Sequence, residues 1–431
     1  MKNKVLRLTK KPFVRNVIIM ATGTASAQVI SILSSPLITR LYGPEAYGLM
    51  GVFMSFVGIV ASIAALTYPT AIVLPKSNAV AKGLIKLSLY VSIIISILVA
   101  LILYSLNGTI VKVFHLEDVA AYLYLIPLVV LCTGFLQVVE QWLIRTKQFG
   151  ISAKTSFLQS LLLQGGKVGI GIFHPVASVL VILSSSGNLL KALLMVMFVR
   201  KSKCKNVDSD EDSVSITKVA KKYIDFPLYK APEVLINTLS NNFPILLLTS
   251  LFGPASAGFY SIVISVLGIP TQLIGKSVGD VFYSRISTAA NNGENLTKMI
   301  RKTSVVLGIV GIIPFGTVVL FGPWLFSFAF GAEWLTAGEY SRWIALGTYF
   351  GFMNGACVRT LPVLSAQSFQ LKYTIFMLVT RVTALLIGFY LFSNDLIAVA
   401  LFGISGALLN FGLMLVTIRI SKNYDVLHMK H

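Results

Sequence analysis

The sequence predicts an all-α, polytopic membrane protein with about twelve transmembrane helices, arranged as two parallel six-helix repeats around a central cavity. Three observations carry this reading. The 431-residue chain is 55% hydrophobic and only 12% charged, with a mean hydropathy of +0.81, which is too apolar for a soluble domain. Its apolar runs repeatedly reach about twenty residues, the length that crosses a bilayer core. Two pairs of segments repeat along the chain.

The elements follow in order. The basic start, MKNKVLRLTKKPFVR, leads into an apolar run with no small-residue cleavage pattern, so no cleavable signal is expected. Helices are predicted over 16–39 and 47–72, with the turn LYGP between them, and then over 85–106, 121–144, 151–173 and 176–199. The hydrophilic stretch 200–223 reads as a cytoplasmic linker between lobes 1–199 and 224–431. The second lobe continues with helices over 231–251, 257–281, 303–321, 340–358, 371–391 and 396–418. Its longest external loop is predicted over 322–340.

Basic residues orient the bundle, because short cytoplasmic loops carry the Lys and Arg excess. Of 36 basic residues, Arg40, Lys112 and Arg342 alone fall on the opposite side, and Lys167, Lys191, Lys276 and Arg381 fall inside predicted helices, with Lys230 at the start of one. Both termini are therefore expected in the cytoplasm of a multi-pass plasma-membrane protein. The net charge of +20 is spread over such loops with no nucleic-acid-binding pattern, so nucleic acid is not an expected partner.

The repeats explain the even helix count. Leu37–Gly48 and Leu247–Gly258 match at six of twelve positions, including the Gly-Pro turn. SGNLLKALLMVMFVRKSK from Ser186 and SGALLNFGLMLVTIRISK from Ser405 match at nine of eighteen. Two six-helix units enter the membrane from the same side, so their pseudo-two-fold axis runs along the membrane normal, an arrangement that suits alternating access.

Charges inside spans are costly and usually face a bundle interior or a water-filled cavity. Lys191 lies nine residues from Arg200, Lys276 nine from Arg285 and Arg381 nine from Lys372, which places each about 13 Å inside the cytoplasmic interface. These three are expected to form a basic girdle that receives phosphate oxygens, with Lys167 and Arg40 continuing a basic track outward. Lys276 and Asp280, four apart, and Lys230 and Glu233, three apart, also suit local pairing. Glu140 and Asp280 are candidates for coupling to a proton or sodium ion, or structural partners of the girdle. No cofactor is expected. The four histidines lack metal-ligand spacing, the three cysteines suggest no disulfide framework, and LIGKS at Leu273–Ser277 lacks the upstream glycine of a phosphate-binding loop.

Two stretches carry a family resemblance. RNVIIMATGTASAQVISILSSPLITRLYGPEAYG near the start and DFPLYKAPEVLINTLSNNFPILLLTSLFGPASAGFYSIVISVLGIPTQLIGKSVGDVFYSRIS, Asp225–Ser287, resemble bacterial polysaccharide transporters, the Wzx-type O-antigen and capsule repeat-unit flippases of the multidrug/oligosaccharidyl-lipid/polysaccharide exporter superfamily. The resemblance implies a non-enzymatic carrier; the intramembrane carboxylates suit an antiporter, and the charge of a diphosphate suits drive by the membrane potential. Its substrate would be an undecaprenyl-pyrophosphate-linked oligosaccharide moved from the cytoplasmic to the outer leaflet. A polysaccharide polymerase and a chain-length regulator are the implied protein partners. A lipid-linked peptidoglycan precursor flippase is the nearest alternative. A membrane polymerase or glycosyltransferase is a more distant one, since Glu333 and Glu339 are the only carboxylates of the longest predicted external loop.

Overall fold

In a computed structural model, residues 12–75, 77–201 and 215–428 are described, and every predicted span has a helical counterpart. In chain order the helices are α1 (Pro12–Ala61), α2 (Asn78–Phe114), α3 (Ile126–Arg145), α4 (Phe149–Gly171), α5 (Ala177–Lys201), the short α6 (Ile216–Lys222), α7 (Ala231–Phe252), α8 (Pro254–Pro270), α9 (Lys276–Asn291), α10 (Leu296–Phe330), α11 (Leu335–Thr360), α12 (Gln367–Phe392) and α13 (Asp395–His428). Among the described residues there is no strand, and nine helices are long and apolar enough to cross a membrane.

The first two predicted helices form one element, α1, broken at Gly43, which has φ 70° and ψ 174°. Gly253, at the matching position of the second repeat, has φ 90° and ψ 173°. Both lie in a region of backbone space that is open essentially to glycine alone. The repeated Leu-x-Gly-Pro sequence thus writes one backbone turn twice, with Pro44 and Pro254 starting the next helical segment.

The chain falls into two compact units, Met1–Ala255 and Ser256–His431. In the first, Gly58 of α1 packs against the side chain of Asn242, and the Thr67 hydroxyl donates to the Phe226 carbonyl at 3.0 Å. These contacts attach α7 and the turn before it to the preceding helices. The predicted linker is structured in its second half. There α6 buries Val219 among Tyr68, Ile72, Leu84, Leu87 and Val138; positions 202–214 lie outside the described residues.

In the second unit the predicted helix over 257–281 is divided. Pro270 ends α8, a single π-type turn covers Thr271–Gly275, and α9 begins at Lys276, as expected where a proline removes an N–H from the ladder. The predicted external loop over 322–340 is corrected to a tight reversal. Helix α10 runs on to Phe330, and only Gly331 and one 3-10 turn, Ala332–Trp334, separate it from α11. The helices meet closely there because Gly322 and Gly338 oppose each other, and a side chain at Gly338 would strike the backbone of Pro323.

Two aspartates of α13 hold this unit at its ends. Asp395 accepts hydrogen bonds from the Tyr340 hydroxyl at 2.5 Å and the Ser256 hydroxyl at 2.8 Å. Asp425 accepts from the backbone N–H groups of Leu296 at 3.0 Å and Thr297 at 2.9 Å, so a carboxylate of one helix caps the first turn of another.

Candidate functional site

In the first unit the polar residues form a ladder between α3 and α5. Thr133, Gln137 and Glu140 follow at intervals of four and three, which puts them on one face of α3. Asn188 and Lys191 lie three apart on α5. Asn188 Nδ2 donates to Thr133 Oγ1 at 2.8 Å, and Lys191 Nζ to Glu140 Oε1 at 2.6 Å. Gln137 Nε2 reaches the Ala61 carbonyl at 3.3 Å. The Lys191 and Glu140 side chains are 19% and 33% exposed, so the pair is neither fully buried nor freely solvated. The predicted girdle lysine and the predicted coupling carboxylate are therefore each other's partner.

A second ladder joins α1 and α4. Ser160 donates to the Ala27 carbonyl at 2.8 Å, and Gln164 Nε2 to Ser31 Oγ at 3.1 Å. Lys167 lies one turn further along α4, partly buried and without an ion pair among the described residues. The Tyr42 hydroxyl donates to its backbone carbonyl at 2.8 Å. Arg40 is exposed on α1.

In the second unit Arg381 projects from α12 onto α13. Its guanidinium carbon lies 4.1 Å from the centroid of the Phe402 ring, a cation-π stack. Phe402 in turn makes an edge contact with Tyr260 of α8 at 5.9 Å. Gly406 leaves the space for the guanidinium, since a side chain there would meet it. Among the described residues the buried Arg381 Nε has no hydrogen-bond partner and no carboxylate pairs with the group. It is an oriented cation whose aromatic stack leaves donors unused.

The glycine that receives Arg381 also locates its counterpart. Gly406 corresponds in the repeat to Gly187, where Gln159 Nε2 donates to the Gly187 carbonyl at 2.9 Å. By this relation Gln159, eight residues before Lys167, occupies the place of Arg381 in the first unit. The two units differ in charge at an equivalent contact.

Of the remaining expected residues, Lys276 opens α9 directly after the π-type turn, and the side chains of Lys276 and Asp280 lie outside the described residues. Lys230 pairs with Glu233 at 3.0 Å on the surface, the local neutralisation their spacing predicts. Sequence reasoning missed Arg359, which it assigns to a loop. Arg359 lies in the last turn of α11, and its Nη1 donates to the Gly275 carbonyl at 3.0 Å, while Gly279 lies against the guanidinium with no room for a side chain. A signal was present, because Gly275 and Gly279 form a small-x-x-x-small pair. That pair admits a guanidinium instead of a second helix. No group of His, Cys, Asp and Glu side chains suited to a metal ion occurs among the described residues.

The fold is shared with known transporters. An inward-facing multidrug resistance MATE family transporter of the MOP superfamily matches 94% of this chain and 98% of its own at TM-score 0.72 and 15% identity. The lipid II flippase MurJ, in an inward closed conformation, matches 94% of this chain and 90% of its own at TM-score 0.73 and 12% identity. A mutant form of the Vibrio cholerae MATE transporter VcmN matches 97% of this chain and 98% of its own at TM-score 0.59 and 14% identity. No curated protein matches the chain. The family model described as polysaccharide biosynthesis protein matches residues 37–339, more than half of the chain, and the protein belongs to that family.

Proposed function

We propose that this protein is a flippase that moves a lipid-diphosphate-linked oligosaccharide repeat unit from the cytoplasmic to the outer leaflet of the plasma membrane, for O-antigen or capsule synthesis. Family membership and the transporter fold support the class of reaction. Arg381 carries the choice of substrate. A guanidinium within a membrane helix is costly to insert, and among the described residues neither a carboxylate nor an acceptor for the Nε–H offsets that cost. An incoming phosphate does, with two parallel N–H donors matched to its oxygens.

Lys191 supplies the second cation in a different way. Its ammonium is neutralised by Glu140 at rest, so a diphosphate must displace the carboxylate before it takes the lysine. Once the substrate has left on the outer side, Glu140 takes up a proton or sodium ion there and releases it to the cytoplasm on pairing again with Lys191, which is the form exchange takes in this reading. Lys276, Lys167 and Arg40 are kept as further contacts along the path, and Asp280 as a second coupling candidate. The tail of the carrier lipid stays in the bilayer, and only the diphosphate and sugar require a polar route. No bond is made or broken, and the chain acts as a carrier, not an enzyme. A polysaccharide polymerase and chain-length regulator would receive the exported unit.

The nearest rival reading is a lipid-linked peptidoglycan precursor flippase, which the likeness to MurJ favours. Proteoliposomes containing either lipid-linked oligosaccharide or lipid-linked peptidoglycan precursor separate the two. Export of the first, lost in Arg381→Ala, supports the proposal; export of the second alone refutes it.

A further inference from the structure

We infer that the groove between the amino-terminal end of α10 and the carboxyl-terminal end of α13 is a binding site for an anionic phospholipid of the cytoplasmic leaflet. The groove has a volume of about 950 Å³. Its rim carries Lys298, Arg301 and Lys302 of α10 and Lys422 of α13. All four side chains are exposed, and none has an ion pair among the described residues. One carboxylate lines the groove, Asp425, and both of its oxygens are taken up by the backbone N–H groups of α10. It satisfies the helix end and leaves the four cations for a ligand.

The floor is of the opposite character. Val305, Val306 and Val426 line it, with Val305 and Val306 56% and 47% exposed. The same face of α10 continues apolar and exposed through Ile309 to Ile313, a rise of about 12 Å beyond Val305. Lysines and arginines one turn before an exposed aliphatic stripe match a lipid with an anionic head and an acyl chain lying along the helix. A free phosphate satisfies the rim but gains nothing from the floor. Each surface cation near an anionic leaflet contributes about 1 kcal/mol, roughly a fivefold change in occupancy, so four of them held together select charge strongly.

The placement of this end at the cytoplasmic face rests on the orientation proposed above. Lipid binding itself does not depend on the transported substrate and is read without transport. The function suggested is an anchor. Both helices of the groove are already tied by Asp425, so a lipid held there fixes this end of the unit to the leaflet.

The test uses the full-length protein, purified in mild detergent and titrated with phosphatidylglycerol or phosphatidylcholine while bound lipid is counted by native mass spectrometry. The wild type is expected to prefer phosphatidylglycerol at least tenfold. The double variant Arg301→Gln/Lys302→Gln loses that preference, and Val306→Trp, which fills the floor without changing charge, weakens retention of phosphatidylglycerol comparably. A control triple variant on α6, Lys218→Gln/Lys221→Gln/Lys222→Gln, keeps the preference. Equal preference in wild type and the groove variants overturns the inference, as does equal loss in the α6 control, which marks a diffuse surface-charge effect. Displacement of phosphatidylglycerol by stoichiometric polyprenyl diphosphate overturns it too, and assigns the groove to the carrier lipid. Impaired sugar-lipid export with normal phosphatidylglycerol retention bears on the transport reading alone.

Discussion

Lys191 of α5 and Glu140 of α3 meet at 2.6 Å across the helix interface, although neither has an opposite charge within a turn on its own helix. The pair connects the two groups on which substrate binding and coupling are proposed to depend. It also sets a limit on mutational tests, because removal of either partner strands the other.

Single and double substitutions at this pair are expected to separate stability from transport. Loss of one partner of a fully buried pair costs about 3–5 kcal/mol, and partial solvation reduces that here to roughly 1–2 kcal/mol. Glu140→Gln and Lys191→Ala should both lower the thermal unfolding temperature in detergent. The swap Glu140→Lys/Lys191→Glu should recover much of it. Surface polysaccharide should remain low in the swap, because the cation has moved to α3; full restoration of export would show that the pair is purely structural.

Arg381 offers a cleaner test, as its removal leaves no carboxylate among the described residues unpaired. Arg381→Ala is expected to reduce export at least tenfold with normal protein abundance. Arg381→Lys should retain an intermediate level, since lysine keeps the charge and loses the planar fork and part of the stack on Phe402. Export measured with purified protein in vesicles checks this, and wild-type rates in both variants would remove Arg381 from the site.

The two repeated turns predict matched costs. Gly43→Ala and Gly253→Ala each force a Cβ into backbone angles near φ 70° to 90° with ψ near 174°, at roughly 1–3 kcal/mol. Thermal denaturation should report similar losses for both, and larger ones than for Gly108→Ala, where a side chain meets open space. A neutral result at either turn would show that the helices relax around it.

Topology is open to direct labelling. Cysteines placed at Ser152 and Ser209 should react with an impermeant reagent from the cytoplasmic side, and those at Glu45, Asn107 and Asn394 from outside. Labelling of position 209 in intact cells would overturn the proposed orientation.

The membrane potential is expected to drive much of the outward step. A diphosphate linker carries about two negative charges, and each is worth about 2.3 kcal/mol per 100 mV. An inside-negative potential therefore favours export by roughly 4–5 kcal/mol per 100 mV over a complete cycle, in whichever half-step the charge moves. Vesicles with an imposed potential and no ion gradient should flip faster. A rate that ignores the potential, follows a pH or sodium gradient and loses that dependence in Glu140→Gln would instead establish ion exchange through this carboxylate, with a rate-limiting step that moves no net charge.

The sequence by itself determined the helices, because a span announces itself through about twenty apolar residues in succession and a bilayer has one thickness. It also determined the repeat, since Gly43 and Gly253 recur with their prolines and adopt one backbone conformation. It brought Lys191, Glu140 and Arg381 to notice, since charge inside a span is rare. Tertiary structure alone decided their partners. Glu140 and Lys191 are 51 positions apart, and which face of α3 meets which face of α5 depends on packing that no local spacing encodes. The same holds for Arg381, whose ring partner Phe402 lies on the next helix, and for Arg359, drawn from an expected loop into contact with Gly275 and Gly279. Apolarity along one helix is a local property that the chain writes directly, whereas neutralisation of a charge in a membrane is a relation between helices and exists only once they are packed.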